Sequence, residues 1–347
     1  MMYRFIRIVV ITFALSALAW GSYINPSNIS GPLSGPGWNA SAFDVVTLGV
    51  LSGNAYSEPA LAGNFSTNSD TDGRVAIYGN LTNTGAPIGS LILAPYTDQY
   101  TLIVNGNSTT QNPYQVDGAA YVGGTANNAL PQPTSGTVQT NPNNLDFDFT
   151  AARTALENYS VNTLTSQPNT VNLTAAPTPD PNHGNGYNIN LSSYNGAVIV
   201  NLNSAYLTGS NGLYITYNTS NVTAVVFNVS GATNLTVTNQ LTINGQQLSI
   251  NDSSGIPILF NFPTTQSLSF NNVFTSSILA PFANFTSNSN VSGTIIVGQM
   301  GTTAETHNDY FSGTGIPAIP TSTPEPITFV LLGSGLLAIG LFRKRGR

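Results

Sequence analysis

Apolar residues arrive in short bursts along this chain. Val45 to Val50, Leu91 to Ala94, Leu102 to Val104, Ala197 to Val200, Ala224 to Phe227, Ile258 to Phe260 and Ile278 to Ala280 are each bounded by Gly, Asn, Ser or Pro. Bursts this short, framed by turn formers, predict β-strands. One stretch has a different period. Phe149, Ala152, Leu156 and Tyr159 fall at i, i+3, i+7 and i+10, one face of a helix. Asp146 and Asp148 precede it, where carboxylates favour a helix N-terminus. Pro168 stops any continuation. The proline-rich stretches 131–142 and 168–181 flank the helix and read as surface loops. The expectation is a mainly all-β body with one lateral α-helix.

The strands belong to a repeating unit. Asn64 to Gly73 aligns without a gap with Asn284 to Gly293, and a strand follows each copy: Arg74 to Tyr78 before Gly79, Thr294 to Val297 before Gly298. The same glycine-framed strand recurs from Gly118 to Gly123. Repeated turn–strand units predict a right-handed β-helix or solenoid, in which each coil buries its apolar side against its neighbours. A sandwich is the alternative, because the spacing is irregular. Tight corners favour positive φ, so Gly73 and Gly293 are expected there. Asn residues are expected to stack in ladders between coils.

Composition narrows the functional classes. Charged residues make up 6% of the chain, with 8 basic against 14 acidic, and there is no cysteine. Disulfide frameworks and thiolate metal sites are therefore excluded. Between Gly21 and Pro324 only Arg74 and Arg153 stand against 13 acidic residues. A nucleic-acid surface needs clustered Lys and Arg, so that class is excluded too.

Both ends read as processing signals. Arg4 and Arg7, an apolar run from Ile8 to Leu18 and Ala17-Leu18-Ala19 form a secretory signal peptide over residues 1–19. The body follows over 20–320. In 321–347, Pro324-Glu325-Pro326 precedes sixteen uncharged residues, Ile327 to Phe342, and then Arg343-Lys344-Arg345. Basic residues stay on the cytoplasmic side, which puts the body outside. This tail closely resembles the PEP-CTERM sorting signal of Gram-negative bacteria. The resemblance implies a C-terminal transmembrane sorting helix, an exosortase-type membrane protease as partner, and export to the cell surface or extracellular matrix.

Candidate chemistry is sparse. Asn68, Asp70 and Asp72 alternate before Gly73, like the first half of a calcium loop. The Glu required at the twelfth position is replaced by Gly79, so the segment reads as a β-turn with a weak candidate calcium site. His307 stands between Glu305 and Asp309, and His183 near Asp180. His307 is expected to be a structural, hydrogen-bonded histidine near the last coil, and His183 to lie in a loop. Asp146 and Asp148 are too close to a helix start to form a glycosidase pair across a cleft. No nucleophile elbow, zinc-protease motif or phosphate loop is present. No catalytic or cofactor-binding residue is assigned, and the chain is not expected to be an enzyme.

Residues 43–80 and 255–313 resemble the choice-of-anchor A domain of bacterial surface proteins. The matching residues are Phe43-Asp44-Val45-Val46, Leu51-Ser52-Gly53 and Ser69 to Ala76 at the front. At the back they are Ile258 to Pro263, Ser277 to Pro281, Ser292 to Val297, Glu305-Thr306-His307 and Phe311-Ser312-Gly313. The resemblance implies a β-helix-like, adhesin-type domain. An acidic, cysteine-free, exported body with no catalytic constellation is expected to bind exopolysaccharide or another surface polymer. An ice-binding β-solenoid is the first alternative, since Ser277 to Ala280 resembles bacterial ice-binding domains. Thr236-Val237-Thr238 is a Thr-x-Thr without ranked copies at a fixed spacing, however, and a flat binding face needs ranked repeats. A carbohydrate-active enzyme is the second alternative.

Overall fold

The computed structural model describes residues 33–319, apart from 36–37, 57–59, 91–99, 111–113, 128–131, 134–137, 139–146, 169, 210 and 247–255. The expected signal peptide and sorting segment, and Asp146, lie outside the described residues. Among the described residues no helix is long and apolar enough to cross a membrane.

The strands pair in parallel, coil upon coil, and form a three-sided solenoid rather than a sandwich. One coil supplies Ile258–Asn261, Ser267–Phe270 and Phe274–Thr275; the next supplies Ser277–Ser287, which turns a corner to serve two sides, and Val291–Ser292. Inside, Phe227 stacks on Phe260 at 4.6 Å, and Phe270 meets Phe274 at 4.4 Å and Phe285 at 5.1 Å. Aromatic contacts of this kind add to the burial that holds the coils together.

One side is buried on both surfaces. Val45, Val75, Ile77, Leu102 and Val104 point into the solenoid, while Val46, Ala76, Ile103, Ile296, Leu279 and Leu259 point outward into a second core. That double burial explains the unbroken apolar bursts in the sequence. The covering element is the expected helix, Phe149–Asn158, extended by a π-helical turn at Tyr159–Thr163. Asp148 caps it by accepting from the backbone N–H of Thr150 and Ala151 at 3.0 and 2.9 Å. Phe149, Ala152, Leu156 and Tyr159 are all buried, as their spacing requires.

A ladder of asparagines ties the end of the helix to the sheet. Asn201, Asn228 and Asn261 are in register on neighbouring strands. Asn261 Nδ2 donates to Asn228 Oδ1 at 2.9 Å and to the Ser160 carbonyl at 2.9 Å. Asn228 Nδ2 donates to the Leu164 carbonyl at 2.9 Å. Carbonyls that the irregular turn leaves without helical partners are thereby satisfied.

The coils do not stack in chain order. Across the helix-backed side the strands run Ala119–Val122, Tyr100–Val104, Val75–Ile77, Val45–Thr47, Ile295–Thr302, Ser277–Ser287, Ile258–Asn261, Val222–Ser230, Gly196–Asn203, Val171–Leu173. The chain starts in the middle and builds to one end. The helix carries it back, and it builds from the other end until its last coil meets its first. At that seam Ile295, Ile296 and Val297 pair with Val45, Val46 and Thr47. The two aligned sequence segments flank the last coil: Phe285 pairs with Met300, and Met300 with Phe65.

The corner glycines differ in kind. Gly293 has φ +130°, as expected. Gly73 does not have positive φ; a Cβ there would lie 2.7 Å from Asp44 Cβ and 2.8 Å from Asn308 Oδ1, so crowding requires glycine at that corner. Most residues of 168–181 lie exposed, but the stretch is not wholly loop as expected: Val171–Leu173 pairs with Val200–Leu202 as the edge strand of the main sheet.

Candidate functional site

Among the described residues, a second side of the solenoid has no covering element. Its strands are Asn234–Val237, Ser267–Phe270, the ends of Ser277–Ser287 and Ile295–Thr302, then Phe65–Thr67, Leu81–Asn83 and Ser108–Thr110. In each triplet the flanking residues face inward and the middle one faces water, because side chains alternate along a strand. The registers bring those middle residues into one lane: Thr236, Ser269, Thr286, Gly301, Ser66, Thr82, Thr109. Six of these seven positions carry a hydroxyl. At a strand spacing of ~4.8 Å the lane is about 29 Å long. Ser269 Oγ donates to Thr236 Oγ1 at 3.0 Å, so neighbours in the lane touch.

A second lane runs alongside, two residues earlier on each strand. Asn234, Ser267, Asn284 and Gln299 are in register. Asn64, Asn80 and Asn107 continue the lane at the corner. The Asn80 N–H donates to Asn64 Oδ1 at 2.9 Å, the Asn107 N–H to Asn80 Oδ1 at 2.8 Å, and the Thr125 N–H to Asn107 Oδ1 at 2.7 Å. Beside them the glycine backbones stack: the Gly79 N–H bonds the Gly63 carbonyl, Gly106 bonds Gly79, and Gly124 bonds Gly106, at 2.8–3.0 Å. A Cβ on Gly106 would sit 2.5 Å from the Gly79 carbonyl. The corner is therefore closely packed. Neither lane contains a charged residue.

Sequence reading weighed only the Thr-x-Thr at Thr236 to Thr238, because the lane is built from residues up to 235 positions apart in the chain. A local trace exists. Phe65-Ser66, Leu81-Thr82, Leu235-Thr236, Leu268-Ser269 and Phe285-Thr286 each place an outward hydroxyl after an inward apolar residue.

Of the predicted metal-ligating residues, Asp70 and Asp72 lie close enough to feel each other's charge. Asn68 lies exposed beside the hydroxyl side, whereas Asp72 is buried at the following corner. Asp72 Oδ1 accepts from Ser90 Oγ at 2.8 Å, and Oδ2 lies 2.8 Å from His307 Nδ1. Asp70 is held above the usual carboxylate range by burial and by Glu305 and Asp72. Among the described residues no three acidic or histidine side chains form a set that could hold a metal ion.

His307 instead bridges the seam. Its Nδ1 faces Asp72 of the first coil, and its Nε2 lies 3.5 Å from Glu305 and 3.2 Å from Asn290 Nδ2. Burial works against the imidazolium, but the Asp72 hydrogen bond and the charges of Asp72, Asp44 and Glu305 outweigh it and raise its pKa. Asp44, 1% exposed, lies in the same corner with Oδ1 unpartnered, and burial pushes its pKa up to about 7. His183 sits in a surface turn, 2.8 Å from Asp180 Oδ2, with its ring 4.7 Å from that of Tyr214.

These features agree with the family comparison. The family model described as "Putative Ice-binding-like adhesive domain" matches residues 41–308. The chain belongs to that ice-binding-like adhesive family. The match is to the adhesive family and not specifically to the choice-of-anchor A grouping expected from the motifs. A PEP-CTERM protein-sorting motif matches residues 322–345, which take in Pro324, Glu325, Pro326, Arg343, Lys344 and Arg345. An ice-binding-like adhesive domain followed by this sorting signal makes the chain an exported surface protein. The ice-binding protein of an Antarctic ascomycete, Antarctomyces psychrotrophicus, known from a crystal structure, is 11% identical, with a TM-score of 0.33 over 78% of this chain and 95% of that one. No curated protein matches the chain.

Proposed function

We propose that this surface protein attaches its cell to ice through the uncovered hydroxyl side, and that an exosortase-type protease processes its tail. The single observation that supports the ice reading is the in-register lane Thr236, Ser269, Thr286, Gly301, Ser66, Thr82, Thr109 with its flanking amide lane. Charged groups hold their own hydration shells, and these lanes have none. Small hydroxyls at a fixed spacing on a rigid sheet offer donors and acceptors to an ordered layer of water. The partner must therefore be extended, neutral and periodic. This is a binding role and not an enzymatic one. Calcium-bridged capture of an acidic exopolysaccharide is not part of this reading, since both Asp72 oxygens already have partners in His307 and Ser90.

The test uses the full-length chain and cells that display it. Ice-growth inhibition and retention of cells in growing ice are measured for wild type, Thr82→Tyr in the lane and Asn190→Tyr, an exposed position on the third side, whose strands include Tyr187–Asn190, Leu213–Thr216 and Leu241–Ile243. Thr82→Tyr is expected to lose most of the activity with an unchanged melting temperature, while Asn190→Tyr keeps it. A wild-type chain that neither shapes ice nor retains cells overturns the reading. Retention on a neutral polysaccharide that Thr82→Tyr abolishes would transfer the lane to a glycan surface.

A further inference from the structure

A groove of about 260 Å³ lies between the exposed flank of the helix and the loop that follows Val50. It sits away from the hydroxyl lane, at the corner where Phe282 turns the strand Ser277–Ser287. Asn54 and Tyr56 form one wall, Glu157, Asn158 and Asn162 the other, and Phe282 the floor. Tyr56 is 36% exposed, and its ring packs against Phe282 at 5.1 Å. That contact holds an aromatic face open to the groove.

Glu157 is the second unusual group. Its Oε1 is buried and has no hydrogen-bond partner. Its Oε2 accepts only a long bond, 3.5 Å, from Asn54 Nδ2. Arg153, one turn earlier, attracts the Glu157 carboxylate through its charge, but it donates to the Leu48 carbonyl at 3.3 Å and lies over the Tyr78 ring. A buried acceptor without a donor carries an uncompensated desolvation cost. A ligand that brings a hydroxyl donor to Oε1 recovers that cost.

We infer that this groove is a binding subsite for one ring of a neutral sugar. An apolar C–H face would lie on Tyr56. One hydroxyl would donate to Glu157 Oε1, and a neighbouring hydroxyl oxygen would accept from the Asn54 amide. The volume falls just below the ~300 Å³ lower bound of drug-sized pockets, which suits a single ring of a longer chain passing across an open groove. A uronic acid is excluded by Glu157 itself and by the acidic body. The inference does not rest on the ice reading, because the groove and the hydroxyl lane share no residue.

The test is ligand-observed NMR and calorimetry on the full-length chain in a detergent without a sugar headgroup. The probes are glucose, galactose, mannose and N-acetylglucosamine, with glucuronate as the charged control. Saturable, millimolar binding of at least one neutral probe is expected, with glucuronate at least tenfold weaker. Tyr56→Ala and Glu157→Gln should each weaken binding at least tenfold. Glu157→Gln preserves the shape, so it stays informative if Tyr56→Ala disturbs the loop. Thr82→Tyr should leave sugar affinity unchanged even where it abolishes ice retention. No saturable binding of any neutral probe, equal binding of glucuronate, or wild-type affinity in Glu157→Gln overturns the inference.

Discussion

At the scale of single residues, two glycines are required for different reasons. Gly106 has an ordinary backbone angle, but a Cβ there would lie 2.5 Å from the Gly79 carbonyl and 2.6 Å from Asn80 Oδ1. Both atoms belong to the stacked corner and cannot move cheaply. Gly106→Ala should destabilise by about 1–3 kcal/mol, the usual cost of overpacking. Gly53 has open space around it but φ +80°, so Gly53→Ala should cost only ~1–2 kcal/mol, from the backbone. Thermal melts of the two variants check the order. The buried ionisable groups at the seam make a third prediction. The folded pKa of Asp44 is about 7 against an ordinary 3.8. Its contribution to stability is therefore complete below about pH 4 and is lost as pH rises to 7. His307 is also raised from 6.5, so its contribution is complete below that value and is lost at still higher pH. Asp72, Glu305 and Asp44 face His307, and Asp72 and His307 face Asp44. Melting temperature should fall between pH 4 and pH 8, the reverse of ordinary acid denaturation. Asp44→Asn should flatten that fall and raise the melting temperature at pH 8.

At the scale of elements, the hydroxyl lane has one gap. Gly301 stands between Thr286 and Ser66, where an added Cβ would meet nothing within 4 Å and φ is not positive. Strand-interior glycine costs roughly 0.5–1 kcal/mol relative to a residue with a side chain, and Thr suits a pleated surface. Gly301→Thr should therefore raise stability by up to that amount and strengthen ice retention, measured by melts and by the cell-retention assay. The same logic explains the helix. Its apolar face and its Asp148 cap were readable from spacing alone. Its attachment through Ser160, Leu164 and the asparagine ladder was not, since Asn201, Asn228 and Asn261 come from three separate coils.

At the scale of the whole molecule, the seam matters most. Strands near both ends of the described chain lie in the middle of the stack, and the edges are formed by interior segments such as Val171–Leu173 and Ala126–Asn127. Edge strands open most readily, because one row of backbone groups is unpaired and burial is partial. Hydrogen exchange should be slowest at Val45–Thr47 and Ile295–Val297 and fastest at 171–173, the opposite of fraying from the chain ends. Equal protection throughout would contradict that stack order. The last described residues run along the helix-backed side, where the Pro317 carbonyl accepts from Tyr159 Oη at 2.8 Å and Ile319 is buried in the helix core.

The sequence by itself determined the short strand units, the lateral helix and the sorting signal, because each is encoded within about 25 consecutive residues by period, punctuation or motif. It also marked the likeness of Asn64–Gly73 to Asn284–Gly293. Only the tertiary structure decided that these segments sit on either side of the last coil, that Asp72 meets His307 across 235 positions, and that scattered Ser and Thr form one lane. The physical reason is that a strand's own pattern specifies which side chains face out. It does not specify which strand lies beside it. Register and coil order are set by how the whole stack buries its core, and the candidate site exists only in that register.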